Sequence, residues 1–242
     1  MADRKIIEQL QNQILALQER RPATDTPPAA LGLGEMEAAL PGKIFPRGAI
    51  HELISAAPED AACTNGFLSV LLGRLMHTSG HCLWVSTRRT IFPPALKAFG
   101  VEPHRLVFVD TRKIKDTLWT IEEALKCDAL TAVVGEIGEL DFNASRRLQL
   151  AVEQSGVTGF VHRYHPRTVS ALACTTRWKI TPLASGADDG LPGVGFPSWN
   201  VQLLKVRSGR PGEWQVRWSP EGFVYLGGRS RIVTPHIVRQ TG

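Results

Sequence analysis

The chain has 242 residues, 43% of them hydrophobic and 21% charged, a composition that excludes a disordered or fibrous protein. No apolar run approaches the roughly 20 residues that span a bilayer, and the polar start MADRKIIEQLQNQ is unlike a secretory signal, so a cytoplasmic location is expected. Net charge is +5, all of it carried by residues 200–242, where seven basic residues face only Glu213 and Glu221.

That basic tail suits nucleic acid or an acidic partner, and equally a solvated face with no specific ligand. The four cysteines, Cys63, Cys82, Cys127 and Cys174, form no C-x-x-C and no close pair. Neither a zinc site nor a disulfide framework is expected from them.

Residues 6–17 set Ile6, Ile7, Leu10, Ile14 and Leu17 on one stripe, which predicts an amphipathic helix. Residues 20–30, RRPATDTPPAA, follow as a linker. A helix set off in this way either folds back on its own domain or docks on another molecule. A short helical piece, GEMEAAL, comes next and stops near Pro41 and Gly42.

Residues 49–54 read as a strand, residues 55–66 as a small, polar loop, and Phe67, Leu68, Leu71, Leu72 and Leu75 as the buried face of a helix capped by Thr64 or Asn65. Strand, loop and helix N-terminus is the frame that cradles phosphate in nucleotide-binding α/β cores. The chemistry of that frame needs G-x-x-x-x-G-K-[ST]. Here alanines replace glycines, Phe67 follows the one glycine, Gly66, and no lysine occurs between Lys43 and Lys97.

Strands and helices then alternate: CLWVS at 82–86, a short helix at 93–99 stopped by Gly100, a strand at 105–110 and a helix at 114–127. A strand led by TAVV at 131–134, a helix at 143–155, a strand at 157–162, a short helix at 168–173 and a strand at 177–183 complete the series. The alternation predicts an α/β fold with a mainly parallel sheet covered on both faces. After the Gly-rich segment 185–198 the period changes to two, and residues 201–218 predict a β-hairpin turning at Arg210, Pro211 and Gly212, with an edge strand near 223–226. Three parts result: the helix and start of linker at 1–22, a core at 31–184, and hairpin plus basic tail at 199–242.

Two further ATPase features are absent. An aliphatic strand should end in an acid that helps hold magnesium. In VVGEIGEL, Gly135 takes that place and Glu136 lies one step on. After CLWVS, where an acid should orient the attacking water, stand Thr87, Arg88 and Arg89, and an arginine stays charged and cannot act as a base. The residues therefore predict no catalysis, no bound cofactor and no metal. His162 and His165 have ligand-like spacing but no evident third ligand. The run HRYHPR offers Arg163, Tyr164 and Arg167 as a weak single-strand nucleic-acid surface, or simply a polar loop. Trp199, Trp214 and Trp218 surround the hairpin, either as partner-binding anchors or as its core.

The order LGLGEMEAALPG, FPRGAIHEL, a phosphate-loop region without its lysine, CLWVS, TTRWKI and WNVQLLKVRSGRPGEWQVRW resembles the ImuA family. These are RecA-like accessory proteins of bacterial SOS-mutagenesis cassettes. The resemblance covers residues 31–218, and the RSGRPGEW turn is its most specific part. It implies a RecA-like fold that is a pseudo-ATPase. It also implies a scaffolding role in error-prone translesion synthesis of damaged DNA. The implied partners are ImuB, a Y-family polymerase homologue, an error-prone C-family polymerase reached indirectly, and RecA itself.

Partner binding would then fall on Ile6, Leu10, Ile14 and Leu17 of the N-terminal helix, and on Arg207, Arg210, Trp214, Arg217, Arg229 and Arg231. In RecA-like proteins an N-terminal helix docks on the neighbouring subunit, which gives the stripe at 6–17 a route to RecA. The rival readings are an active DNA-dependent ATPase of the RecA class and an SOS cell-division inhibitor. Neither accounts for both the lost motifs and the C-terminal segment.

Overall fold

Among the described residues, short β-branched and aromatic runs separated by amphipathic helices assemble into one nine-stranded sheet. The computed structural model describes residues 30–77, 79–89, 91–185 and 195–227. Its strands are β1 (Ile50–Ser55), β2 (Cys82–Ser86), β3 (Leu106–Asp110), β4 (Ala132–Ile137), β5 (Thr158–Tyr164), β6 (Thr176–Leu183), β7 (Ser198–Val206), β8 (Gly212–Ser219) and β9 (Gly222–Tyr225). They lie in the order β3-β2-β4-β5-β1-β6-β7-β8-β9; β1 to β6 are mutually parallel, β7 adds antiparallel to β6, and β8 and β9 follow in turn, each antiparallel to the strand before it. The α/β, mainly parallel fold expected from the sequence is the fold observed.

The helices are α1 (Glu35–Ala38), α2 (Pro58–Leu75), α3 (Ile114–Leu125) and α4 (Phe142–Ser155), with a 3-10 segment at Pro93–Phe99 that Gly100 ends in the left-handed conformation. Because strand side chains alternate, neighbouring residues serve opposite faces. Trp84, Val134, Phe160 and Trp178 join Phe67, Leu68 and Leu71 of α2 in one core. Val85, Val133 and Val161 join Ile121 and Leu125 of α3 and Leu148 and Val152 of α4 in the other.

The hairpin predicted at 201–218 is present as β7 and β8, and β9 is the edge strand expected after it. It is no appendage, however. Trp199, Val201, Leu203, Trp214, Val216 and Trp218 all lie in the α2-side core. β9 also secures the segment before β1, since the Tyr225 hydroxyl accepts from Met36 N at 3.1 Å and donates to Leu33 O.

Two elements differ from expectation. The helix expected to start near residue 65 begins at Pro58, and the short helix expected at 168–173 is irregular. In the second case the carbonyls are taken by cations instead of by helical N–H groups. Arg163 donates to Thr168 O at 3.0 Å, Arg177 to Ser170 O at 2.6 Å and Lys205 to Leu172 O at 2.8 Å.

Candidate functional site

The carboxyl ends of parallel strands are where open α/β sheets place ligands. β1 reaches that end at Ser55, and only Ala56 and Ala57 separate it from α2. Pro58 at the first helical position and the alanine-rich run after it favour helix from that point on. The predicted loop at 55–66 is therefore mostly helix, and Thr64 and Asn65 lie within it instead of capping it. Asp60 supplies the anion that this junction attracts: its carboxylate accepts from Ala56 N at 3.2 Å and Ala57 N at 3.3 Å. Gly66 serves packing, because a Cβ there would lie 2.8 Å from the Trp199 ring.

A buried polar knot stands just behind the junction. Ser55 Oγ is 2.9 Å from Thr64 Oγ1 and 2.8 Å from His162 Nε2, which ties β1, α2 and β5 together. Burial drives the His162 pKa down to about 4, so its ring is neutral. Serine beside histidine is nucleophile-and-base geometry, but a triad also needs an acid on the second ring nitrogen. His162 Nδ1 has no partner among the described residues, and Ser55 is fully buried. The knot links three elements beneath the surface. His165, by contrast, is exposed with φ +47, and the described residues contain no group of three or more metal-ligating side chains.

The strand-end acids are equally constrained. A Cβ on Gly135 would meet Ile121 Cδ1 at 2.2 Å, so any side chain at this position would have to displace the buried Ile121. Glu136 points to the opposite face, where its carboxylate accepts from Trp84 Nε1 at 2.8 Å. Burial outweighs that hydrogen bond and raises its pKa to about 7. At the end of β2, Arg89 pairs with Asp110 at 2.7 Å and covers the Phe108 ring at 5.3 Å.

Among the expected nucleic-acid residues, Arg163 is a correction. The β5 strand runs past the expected end at 162 to Tyr164, which turns Arg163 into the protein. It is fully buried, bonded to Glu52 at 3.1 Å and Glu139 at 3.2 Å. Glu52 in turn pairs with Arg177 at 2.5 Å. Alternation along HRY was the signal that could have revealed this. Tyr164 and Arg167 are exposed, and Arg167 N donates to Glu139 at 2.6 Å.

Of the expected partner-binding residues, Arg207 and Arg210 are exposed on the β7–β8 turn and Arg217 is half-buried. Trp214 is 5% exposed, a core residue and not a surface anchor. Ile6, Leu10, Ile14, Leu17, Arg229 and Arg231 lie outside the described residues. Sequence reasoning missed the roles of Ser55 and Glu52, whose partners are distant or on the next element, and that of Asp60, whose place three residues past Ala57 in the first turn of α2 was the signal that could have found it.

No family model matches the chain. A solved structure, the KaiC-like protein from the hyperthermophilic archaeon Pyrococcus horikoshii OT3, aligns with a TM-score of 0.52 at 14% identity, over 78% of this chain and 97% of its own. Fold and strand-end junction together define a RecA-like α/β protein. The chain is also 37% identical over 213 residues to Protein ImuA in two strains of Caulobacter vibrioides, covering 82% of this chain and 87% of each relative. It belongs to the ImuA family.

Proposed function

We propose that this protein is a non-catalytic accessory scaffold of SOS-induced, error-prone translesion synthesis. In this reading it holds an ImuB-like Y-family polymerase homologue, reaches a C-family polymerase indirectly, and touches RecA. Family membership supports the pathway. The observation that carries the absence of catalysis is the Asp60 carboxylate on the amides after β1, in the place where a nucleotide phosphate needs free N–H donors. A fixed negative charge there repels a second one.

Arg207 and Arg210 project from the β7–β8 turn and supply an exposed basic contact for the polymerase homologue. The test is co-purification from DNA-damaged cells with full-length protein and with Arg207→Glu/Arg210→Glu, alongside hydrolysis assays with ATP and single-stranded DNA. Recovery of the Y-family-like protein, reduced about tenfold or more by the reversal, is expected, together with no DNA-stimulated hydrolysis. Measurable turnover would replace this reading with an active RecA-class ATPase. Filamentous cells on overexpression with unchanged mutation frequency would replace it with a division inhibitor.

A further inference from the structure

The β3 edge of the parallel sheet carries a second surface that plays no part in that reading. Asp110 closes β3 beside Ser86, the last residue of β2. Thr111 N donates to Ser86 O at 2.9 Å, and Thr111 Oγ1 lies 2.6 Å from Thr117 Oγ1 in α3. These bonds gather residues 87–89, residues 111–113 and the first turn of α3 onto one edge.

Five exposed bases meet there, Arg88, Arg89, Arg112, Lys113 and Lys115, against the two acids Asp110 and Asp116. Arg89 is neutralised by Asp110. Arg88, Arg112, Lys113 and Lys115 have no side-chain partner among the described residues. α3 begins with no side-chain cap, so its first-turn N–H groups add to the positive field.

Apolar surface is interleaved with the charge. Ile114 is 64% exposed and Trp119 65% exposed. Lys115 and Trp119 are four residues apart on α3, hence one above the other on the same face. Beyond Trp119 the helix becomes acidic, but Glu122 and Glu123 are paired with Lys126 and Arg147, which bounds the platform.

We propose that this edge binds single-stranded nucleic acid, with backbone phosphates along Arg88, Arg112, Lys113 and Lys115 and a base stacked on the Trp119 indole. Bringing four unpaired cations together is unfavourable until a polyanion displaces their counterions. An acidic peptide would satisfy the charge, but it offers nothing to a bare indole, whereas every base has a π-face. The site differs from the HRYHPR run, whose central cation, Arg163, is buried in ion pairs.

The experiment measures anisotropy of a labelled oligo-dT across a salt series, using the full chain. The wild type should bind with an affinity that falls steeply as salt rises. The combined variant Arg112→Glu/Lys113→Glu/Lys115→Glu should weaken binding by at least about tenfold and reduce the log–log salt slope by about 2, at ~0.7 per lost phosphate contact. Trp119→Ala should weaken binding with the slope unchanged, and Trp119→Phe should abolish the tryptophan quenching seen on binding while retaining most affinity. Far-UV circular dichroism confirms folding, and Lys43→Glu/Lys97→Glu, at two exposed lysines away from this edge, controls for bulk charge. Equal losses in that control, no effect of the triple reversal, or full competition by poly-glutamate at matched charge would each overturn the proposal.

Discussion

Glu136 shows how far a single residue can stand from the role its position suggests. It lies on β4 near the strand end, yet burial raises its carboxyl from 4.5 to about 7 while the Trp84 indole holds one oxygen. An acid with a raised folded pKa binds its proton more tightly when folded. Its contribution to stability is complete below the unfolded value and is lost as pH rises through about 7. Glu136→Gln keeps the Trp84 hydrogen bond and removes the titration. The variant should match wild type near pH 4.5 and exceed it above pH 7.5, by at most roughly 3 kcal/mol. Urea denaturation at several pH values measures the gap. A gap independent of pH would show that Glu136 is not held protonated by the fold. The buried His51 and His162, both lowered to about 4, act in the opposite sense in both proteins and cancel from the comparison.

At the scale of elements, the β1–α2 junction has the strand, turn and helix frame of a nucleotide-binding core, with the Asp60 carboxylate on its amides. Asp60 satisfies two amides that water or phosphate would otherwise take. Asp60→Ala leaves Ala56 N and Ala57 N unpaired in a part-buried turn and should cost about 1–2 kcal/mol, read as a lower urea midpoint with an unchanged m-value. No change would mean that the carboxylate is dispensable to the helix start. The sheet elements were legible in the sequence because apolar runs such as CLWVS have one interpretation in length and composition, and the RSGRPGEW turn fixes its hairpin. The start of α2 was not legible, because PEDAACTN is small and polar like a loop and helical by propensity. The irregular stretch at 168–173 was misread for a related reason. Its carbonyl partners, Arg163, Arg177 and Lys205, arrive from other strands, and local spacing carries no trace of them. The candidate site was legible as a set of missing residues, and illegible as the set of side chains that replaced them.

For the whole molecule, the hairpin segment belongs to the same cooperative unit as the parallel strands. β6 hands the sheet to β7 in continuous antiparallel register from Trp178 to Leu183, and the α2-side core spans both. Phe67 of α2 meets Trp178 of β6, Trp199 of β7 and Phe223 of β9 at ring distances of 5.8, 6.4 and 6.0 Å. Removing the chain from residue 198 onward deletes Trp199, Val201, Leu203, Trp214, Val216 and Trp218, all buried. At ~1.5–3 kcal/mol for each large apolar side chain, that is roughly 9–18 kcal/mol of burial, comparable with the whole stability of a domain at about 5–15 kcal/mol. Such a truncation should lose its cooperative thermal transition and aggregate, so partner loss on truncation would say nothing about an interface. The check is calorimetry of the chain ending at residue 197. A sharp, reversible transition would instead make the parallel core an independent folding unit, and would allow truncation to be used to map partners.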